Sequence, residues 1–251
     1  MTELKICLWN ANGLSQHKLE VEKFLNEENI DIMLISETHF SDKNNFKIKG
    51  YILYDTKHPS GKAHGGSAIL IKNRISHFEI ESFSEDFLQA TSICLSQWNG
   101  NCIISSVYSP PRHAIKTHQY LDFFNKMGNK FIIGGDFNAK HKFWGSRLIS
   151  PKGKQLFDAI TQSNLETIST GSPTYWPSDK NKVPDLIDFF VLKGISKYNT
   201  RIENSYDLSS DHSPVILHLS TNTLKTEFND RITNKNTKWK IYSHLMEKNV
   251  K

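Results

Sequence analysis

Residues 1–220 read as a single α/β domain. Three observations predict it. Short apolar, β-prone runs alternate with stretches whose apolar residues recur at helical spacing. Strand candidates fall in both halves of the chain. No repeat or low-complexity linker divides these residues. The composition, 37% hydrophobic and 23% charged, is that of a globular chain long enough for a sizeable core. No run approaches the ~18 apolar residues of a membrane span. The N-terminus lacks the charged-then-apolar layout of a signal peptide. No membrane partner is expected.

Residues 4–9 form an apolar strand candidate ending at Asn10-Ala11-Asn12-Gly13, where Gly13 marks a turn. Ser15 is placed to cap a helix over 16–28, with Val21, Phe24 and Leu25 on one face. A second buried strand, 30–36, ends at Glu37-Thr38-His39. Residues 41–64 are polar and loop-like around a short strand at 51–55. The basic 57–64 loop, with Lys62, reads either as an exposed loop or as a phosphate contact. Strand candidates at 67–71, 78–80, 90–95 and 101–108 follow with no helix between them, which predicts antiparallel pairing. Tyr108-Ser109-Pro110-Pro111-Arg112 stops the last of these.

The spacing then predicts a helix over 113–127 and a buried strand over 131–134. That strand runs into Gly134-Gly135-Asp136-Phe137-Asn138. If the chain stays extended through Phe137, Asp136 and Asn138 point to one face; Gly, Asp and Asn are equally ordinary turn residues. The loop Ala139-Lys140-His141-Lys142-Phe143-Trp144-Gly145 is basic and aromatic. It suits a nucleic-acid backbone with a stacked base, or a loop anchored by a buried Trp144. A helix over 152–162, an extended Pro-bounded segment at 172–177, and a hydrophobic strand at 186–192 interrupted by Asp188 come next. Ser209-Ser210-Asp211-His212 precedes a last strand at 215–219.

The formal charge of +5 is unevenly placed: residues 221–251 carry +4 and the first 220 residues only +1. A nucleic-acid role for the body must therefore rest on local patches. Residues 221–251 read as a basic linker leading to a short amphipathic stretch with Trp239, Tyr242, Leu245 and Met246. Cys7, Cys94 and Cys102 lie in strand-like runs without metal spacing, so buried free thiols in a reducing compartment are expected.

The strands end in polar groups of one kind: Asn10 and Asn12, Glu37, Tyr108, Asp136 and Asn138, Asp188, Asp211 and His212. If those ends meet, the site holds four carboxylates, an imidazole, a phenol and several amides. That inventory fits hydrolysis of a phosphate ester. Glu37 and Asp211 are hard oxygen donors suited to Mg²⁺, and too few His or Cys residues cluster for zinc. No nucleophile elbow or phosphate-binding P-loop occurs. Asp188, set among apolar residues, needs a partner, and His212 is the natural one. The pair reads either as a structural ion pair or as a device that fixes the His212 tautomer and charge.

In order, Asn10-Ala11-Asn12-Gly13, Glu37-Thr38-His39, Tyr108-Ser109-Pro110, Gly135-Asp136-Phe137-Asn138, Asp188 and Ser210-Asp211-His212 resemble the exonuclease–endonuclease–phosphatase superfamily. That group includes pancreatic deoxyribonuclease and the apurinic/apyrimidinic endonucleases. The resemblance covers nearly all of residues 1–220. It is most similar to the endonuclease domain of jockey-type (LINE-like) non-LTR retrotransposons, through Trp9–Gly13, Ser36–His39, Gly65-Gly66-Ser67-Ala68-Ile69, Asp136–His141 with Trp144-Gly145, and Ser172-Pro173-Thr174.

The resemblance implies a four-layered α/β sandwich of the DNase I-like type, with two packed mixed sheets flanked by helices. It implies Mg²⁺, with Mn²⁺ as a substitute, held by Glu37 with Asp211 and Asn12 nearby. Asp136, His212, Asp188, Tyr108, Asn138 and Asn10 would be catalytic. Asp136 would activate water, Asn138 and His212 would contact the phosphate, Asp188 would orient His212, and Tyr108 would support developing charge. Thr174, Lys140, His141, Trp144, Arg112, Lys62 and Ser210 would face the DNA.

The implied activity is nicking of double-stranded target DNA in the nucleus, leaving a 3′-hydroxyl that primes reverse transcription by a covalently linked polymerase region beyond residues 221–251. Two departures from the repair enzymes stand out: Asn12 where they carry Asp, and Pro111 where they carry Asn after Tyr-x-Pro. Both turn the reading from repair toward a retrotransposon nickase. The alternatives are an abasic-site endonuclease or other phosphoesterase of the same fold, and an inactive DNA-docking domain.

Overall fold

The computed structural model describes residues 3–96 and 100–220; the linker expected at 221–251 lies outside the described residues. In chain order the elements are β1 (Glu3–Asn10), α1 (Lys18–Glu27), β2 (Ile32–Ser36), β3 (Tyr51–Thr56), β4 (Ser67–Lys72), β5 (His77–Glu79), β6 (Phe83–Glu85), β7 (Leu88–Leu95) and β8 (Cys102–Tyr108). They continue with α2 (Thr117–Lys126), β9 (Phe131–Asp136), α3 (Pro151–Gln162), β10 (Glu166–Ile168), β11 (Asp188–Lys193), β12 (Thr200–Asn204) and β13 (Val215–Ser220).

One sheet has the order β12-β13-β1-β2-β4-β3, the other β10-β11-β9-β8-β7-β5, with β6 also on β7. Each sheet contains one parallel pair, β1 with β2 and β8 with β9, and each pair is joined by a helix. A parallel pair needs such a crossover. The remaining pairings, including the predicted antiparallel ones, are antiparallel.

The sheets pack face to face, and period-2 alternation sorts their side chains. Leu4, Ile6 and Leu8 of β1, Ile32 and Leu34 of β2, Ile132 of β9 and Phe190 and Leu192 of β11 fill the space between the sheets. The alternate residues face outward. Cys7, Trp9, Met33 and Ile35 share a cluster with Val21, Phe24 and Leu25 of α1. Phe131, Ile133, Phe189 and Val191 pack with Tyr120, Phe123 and Phe124 of α2 and Leu156, Ala159 and Ile160 of α3. Helix, sheet, sheet and helix make the four layers expected. No helix among the described residues is long and apolar enough to cross a membrane. All three cysteines are free and buried.

Several local expectations change. The 16–28 helix splits into a 3₁₀ turn over Leu14–His17 and then α1. The 113–127 helix starts only at Thr117: Ile115 is buried in the outer core, and the Lys116 N–H donates to the Gln119 side chain. The chain does not stay extended through Phe137. β9 ends at Asp136, and Asn138 turns into the left-handed region at φ 46°. Asp188 opens β11 and does not interrupt it. β6, β10 and β12 are additional short strands, at or near sheet edges and half-exposed, without the apolar pattern that marks a core strand.

Gly134 lets the two sheets close where the site begins, and Gly135 lets β9 lie close against β8. A Cβ on Gly134 would lie 2.7 Å from Phe190 and 2.9 Å from Leu34; one on Gly135 would lie 1.9 Å from the Val107 carbonyl oxygen. Backbone cannot yield as a side-chain tip can. Gly135→Ala should therefore destabilise the domain by about 3 kcal/mol, read as a lower urea midpoint. An unchanged midpoint would contradict this packing.

Candidate active site

The alternation that fills the inter-sheet core also builds the site. Asn10 follows Leu4, Ile6 and Leu8 on the inward face of β1, and Asp136 follows Ile132 and Gly134 on that of β9. Ser36, Tyr108 and Asp188 stand in the same parity on β2, β8 and β11. Parallel strands end at one edge, and the antiparallel β11 begins there, with Asp188 directly opposite Asp136. At that edge the apolar interior gives way to polar groups.

Small hydroxyls join the two sheets beneath the site. Ser36 Oγ donates to the Val107 carbonyl at 2.8 Å and accepts from the Asp136 N–H at 3.1 Å. Ser106 Oγ donates to the Ile35 carbonyl at 3.0 Å.

Above them, the Asn10 amide donates to Glu37 Oε1 and to Asp136 Oδ2, both at 2.9 Å. Its own carbonyl oxygen accepts the Asn12 N–H at 3.0 Å. Asn138 closes a turn on Asp136, with its N–H on Oδ1 at 2.7 Å and its amide on Oδ2 at 2.9 Å. The side chains expected to share a face through an extended strand thus meet through a turn instead.

On the other side, His212 Nδ1 donates to Asp188 Oδ2 at 2.8 Å, and Thr174 Oγ1 donates to the same oxygen at 2.7 Å. Thr174 also accepts the Asp188 N–H at 3.1 Å. Tyr175 lies against the His212 ring at 4.9 Å between centroids. The His212 carbonyl accepts the Trp9 indole N–H at 3.1 Å.

The charges follow from this geometry. Burial raises the Asp136 carboxyl, and the neighbouring charges of Asp188 and Glu37 raise it further against the opposing pull of His212. Burial would lower His212, but the charge and hydrogen bond of Asp188 lift it to about 9. Burial would also raise Glu37; hydrogen bonds from His39, Asn10 and Tyr108 outweigh it and hold that carboxyl below its usual range. Burial and the charges of Glu37 and Asp136 push the Tyr108 phenol upward, so it stays a donor.

Four carboxylates share this edge with the His212 imidazole and with His39 beside Glu37. The donor set is rich in hard oxygens and fits a divalent cation such as Mg²⁺. Ligand atoms of Asp136, Asp188 and His212 lie within 4.8 Å of one another. Within that group Asp188 Oδ2 already accepts from His212 and Thr174, which makes the Asp188–His212 contact an ion pair. Glu37 and Asp211, both half-exposed, are the carboxylates open to a cation from solvent, and the Asn12 amide lies 3.4 Å from Asp211 Oδ1.

Comparison with known proteins gives the chain its family. The model of the Endonuclease/Exonuclease/phosphatase family matches residues 7–212, from β1 to His212. The chain belongs to the Endonuclease/Exonuclease/phosphatase family. It is 34% identical over 97% of its length to the RNA-directed DNA polymerase from mobile element jockey of Drosophila melanogaster. It is 33% identical over 98% of its length to the probable RNA-directed DNA polymerase from transposon X-element of the same organism. The chain spans 27% of the length of each of these two relatives.

Among solved structures, the endonuclease domain of TRAS1, a telomere-specific non-LTR retrotransposon, superposes with a TM-score of 0.71 at 19% identity. That match covers 86% of this chain and 98% of the other. The apurinic/apyrimidinic endonuclease LMAP from Leishmania major gives 0.70 at 13% identity, covering 87% and 88%. At these identities the structures share the fold. The resemblance to jockey-type elements and the DNase I-like sandwich are both borne out.

Within this family fold the residues expected to face DNA separate into two groups. Lys62 and Arg112 are exposed. Thr174 and Ser210 are hydrogen-bonded within the site, and Trp144 takes the buried, loop-anchoring alternative. Thr174 is buried on Asp188. Trp144, 2% exposed, donates its indole N–H to the Ala139 carbonyl and stacks on Phe189 at 4.8 Å. Ser210 Oγ donates to the Asn10 carbonyl at 2.8 Å and accepts the His212 N–H.

Lys140 is paired with Asp185 at 3.0 Å, and His141 stacks on Phe157 at 4.3 Å. The aromatic ring this loop presents to solvent is Phe143, 55% exposed.

Sequence reasoning gave no role to Ser36, Ser106, Asp185 or Lys152. Buried serines and an aspartate before an apolar run carry no period that sets them apart. Asp185 fastens two loops, accepting the N–H groups of Arg147 and Leu186 as well as pairing with Lys140.

The Asp188–His212 pair yields a titration. Its folded value, about 9, lies above the ~6.5 of a free imidazole. The stability it contributes is thus fully present below about pH 6.5 and lost as pH rises through about 9. In an NMR titration, His212 should remain charged through neutral pH in the wild type. Asp188→Asn should lower its midpoint, because burial is then opposed only by the smaller contributions of the Asp136 and Asp211 charges. A midpoint unmoved by that substitution would contradict the assignment.

Proposed function

We propose that this chain is the endonuclease domain of a non-LTR retrotransposon, a Mg²⁺-dependent nickase that cuts target DNA in the nucleus. The nick leaves a 3′-hydroxyl, and a reverse transcriptase region covalently linked after residues 221–251 extends it. The observation that carries this reading is the joining of Glu37 and Asp136 by the Asn10 amide, beside the Asp188–His212 pair, at one edge of the sandwich. The similarity to the polymerases of mobile elements over almost the whole chain gives the context.

Asp136, a carboxyl with a raised proton affinity, accepts the proton of an attacking water. The water oxygen bonds to phosphorus in line with the departing 3′ oxygen, the P–O3′ bond breaks, and the 3′ oxygen takes up a proton. The products are a 3′-hydroxyl and a 5′-phosphate.

His212, charged and held by Asp188, donates to a non-bridging phosphate oxygen, and the Asn138 amide is a second donor. Tyr108 supports the charge that builds at the phosphate. Mg²⁺, held by Glu37 with Asp211 and Asn12 beside it, supplies neutralisation of phosphate charge when bound. The exposed Lys62 and Arg112 contact the DNA backbone, and Phe143 is the aromatic available for contact with a base.

Nicking of supercoiled plasmid tests this reading. Wild type should convert plasmid to open circles with Mg²⁺ and not with EDTA. Asp136→Ala and His212→Ala should each lower the rate by about 10²–10⁴-fold. Variants that nick as fast as wild type would sink the assignment of roles. Cleavage confined to abasic duplex would turn the reading to repair.

A further inference from the structure

Lys152, the second residue of α3, is only 9% exposed. No carboxylate among the described residues lies within salt-bridge distance of it. A buried ammonium without a counter-charge is costly, and the N-terminal turn of a helix is the wrong end for a cation. Burial accordingly brings its pKa down to about 7, against the pull of Asp136. Its partners are two backbone carbonyls, Ser109 at 3.0 Å and Pro110 at 2.7 Å.

These are the residues directly after Tyr108 at the end of β8. The Ser109 N–H, in turn, donates to the Asp136 carbonyl at 2.9 Å. Lys152 is therefore two hydrogen bonds from the backbone of Asp136 and one from the residue that follows Tyr108.

The start of α3 is itself fixed to the site loop. Ser150 Oγ caps the helix through the Gly153 N–H at 3.0 Å and accepts the Lys140 N–H at 3.1 Å. A Cβ on Gly153 would lie 1.8 Å from the Lys140 carbonyl oxygen, so the helix sits hard against the chain leaving Asn138. Lys152 is held from behind by a rigid support while its ammonium grips the end of β8.

We infer that Lys152 is a positioning residue of the phosphodiesterase site: through Ser109 and Pro110 it fixes Tyr108 and Asp136 relative to each other. The inference rests on the proposed nicking activity for its kinetic readout and goes beyond it in assigning a residue outside the reacting shell. Burying a lysine here costs stability that Met in the same space would not, and the geometry of the site is what the cost sustains.

A mutant cycle with Tyr108 tests this. Lys152→Met removes both donors and the charge; Lys152→Gln keeps an N–H donor for the carbonyls. In Mg²⁺-dependent plasmid nicking, Lys152→Met should lower kcat about tenfold or more with KM for DNA nearly unchanged, and Lys152→Gln should recover part of the loss. In a Tyr108→Phe background the same substitution should cost far less, because the two act as a unit. Should Lys152→Met fail to fold, Lys152→Gln carries the same cycle.

Full wild-type kcat in the folded variant, or equal losses with and without Tyr108, would overturn the inference. A wild type that does not nick removes the proposed function alone. In that case backbone amide NMR decides: Ser109 and Asp136 signals that shift in the variant uphold the positioning contact, and unchanged signals refute it.

Discussion

One amide holds the two halves of the site together. Asn10 stands on the first sheet and spends both N–H groups on carboxylates, Glu37 beyond its neighbouring strand and Asp136 on the opposite sheet. Two acids brought close at the end of an apolar interior repel each other and resist losing water. A neutral donor between them satisfies an oxygen on each without cancelling their charge. The chemistry depends on that balance, since Glu37 stays ionised while Asp136 keeps a high proton affinity. The Asn10 side chain is itself fixed by Asn12, and its backbone carbonyl by Ser210, so the donor has little freedom to turn away.

The fold supplies the rest through direction and parity. Each sheet has one parallel pair, and both pairs end at the same edge. Antiparallel neighbours begin there, which brings Asp188 onto Asp136 in register. Inward parity, which packs Leu, Ile and Phe between the sheets, delivers Asn10, Ser36, Tyr108, Asp136 and Asp188 at its last step. Gly134 and the hydroxyls of Ser36 and Ser106 are what the close approach of the two sheets needs: no side chain in the way, and partners for the backbone groups that face across.

The site was more legible in the sequence than its surroundings. A polar side chain that ends an apolar run is conspicuous, which marks Asn10, Glu37, Tyr108 and Asp136; Asp188 stands out inside such a run, and His212 as its natural partner. The core strands were legible for the same reason. The edge strands β6, β10 and β12 were not, since half-exposed strands of three to five residues carry no strong alternation.

Trp144 illustrates a different limit. Its basic neighbours leave two readings open, base stacking or a buried anchor, and an indole whose N–H finds a local carbonyl and whose face finds Phe189 is more stable inside. Lys152 carries no mark in the sequence because its partners are remote: the carbonyls that it grips lie 43 and 42 residues back. Only the folded chain brings those groups together.

If the Asn10 amide is the link on which the site depends, its replacement by a carboxylate is the most direct challenge. Asn10→Asp keeps the size and shape of the side chain but turns both donors into acceptors facing Glu37 and Asp136. The rate of plasmid nicking at saturating Mg²⁺ should then fall by about 10²-fold, with the folded state retained by circular dichroism. A folded Asn10→Asp protein that nicks at the wild-type rate would contradict the account.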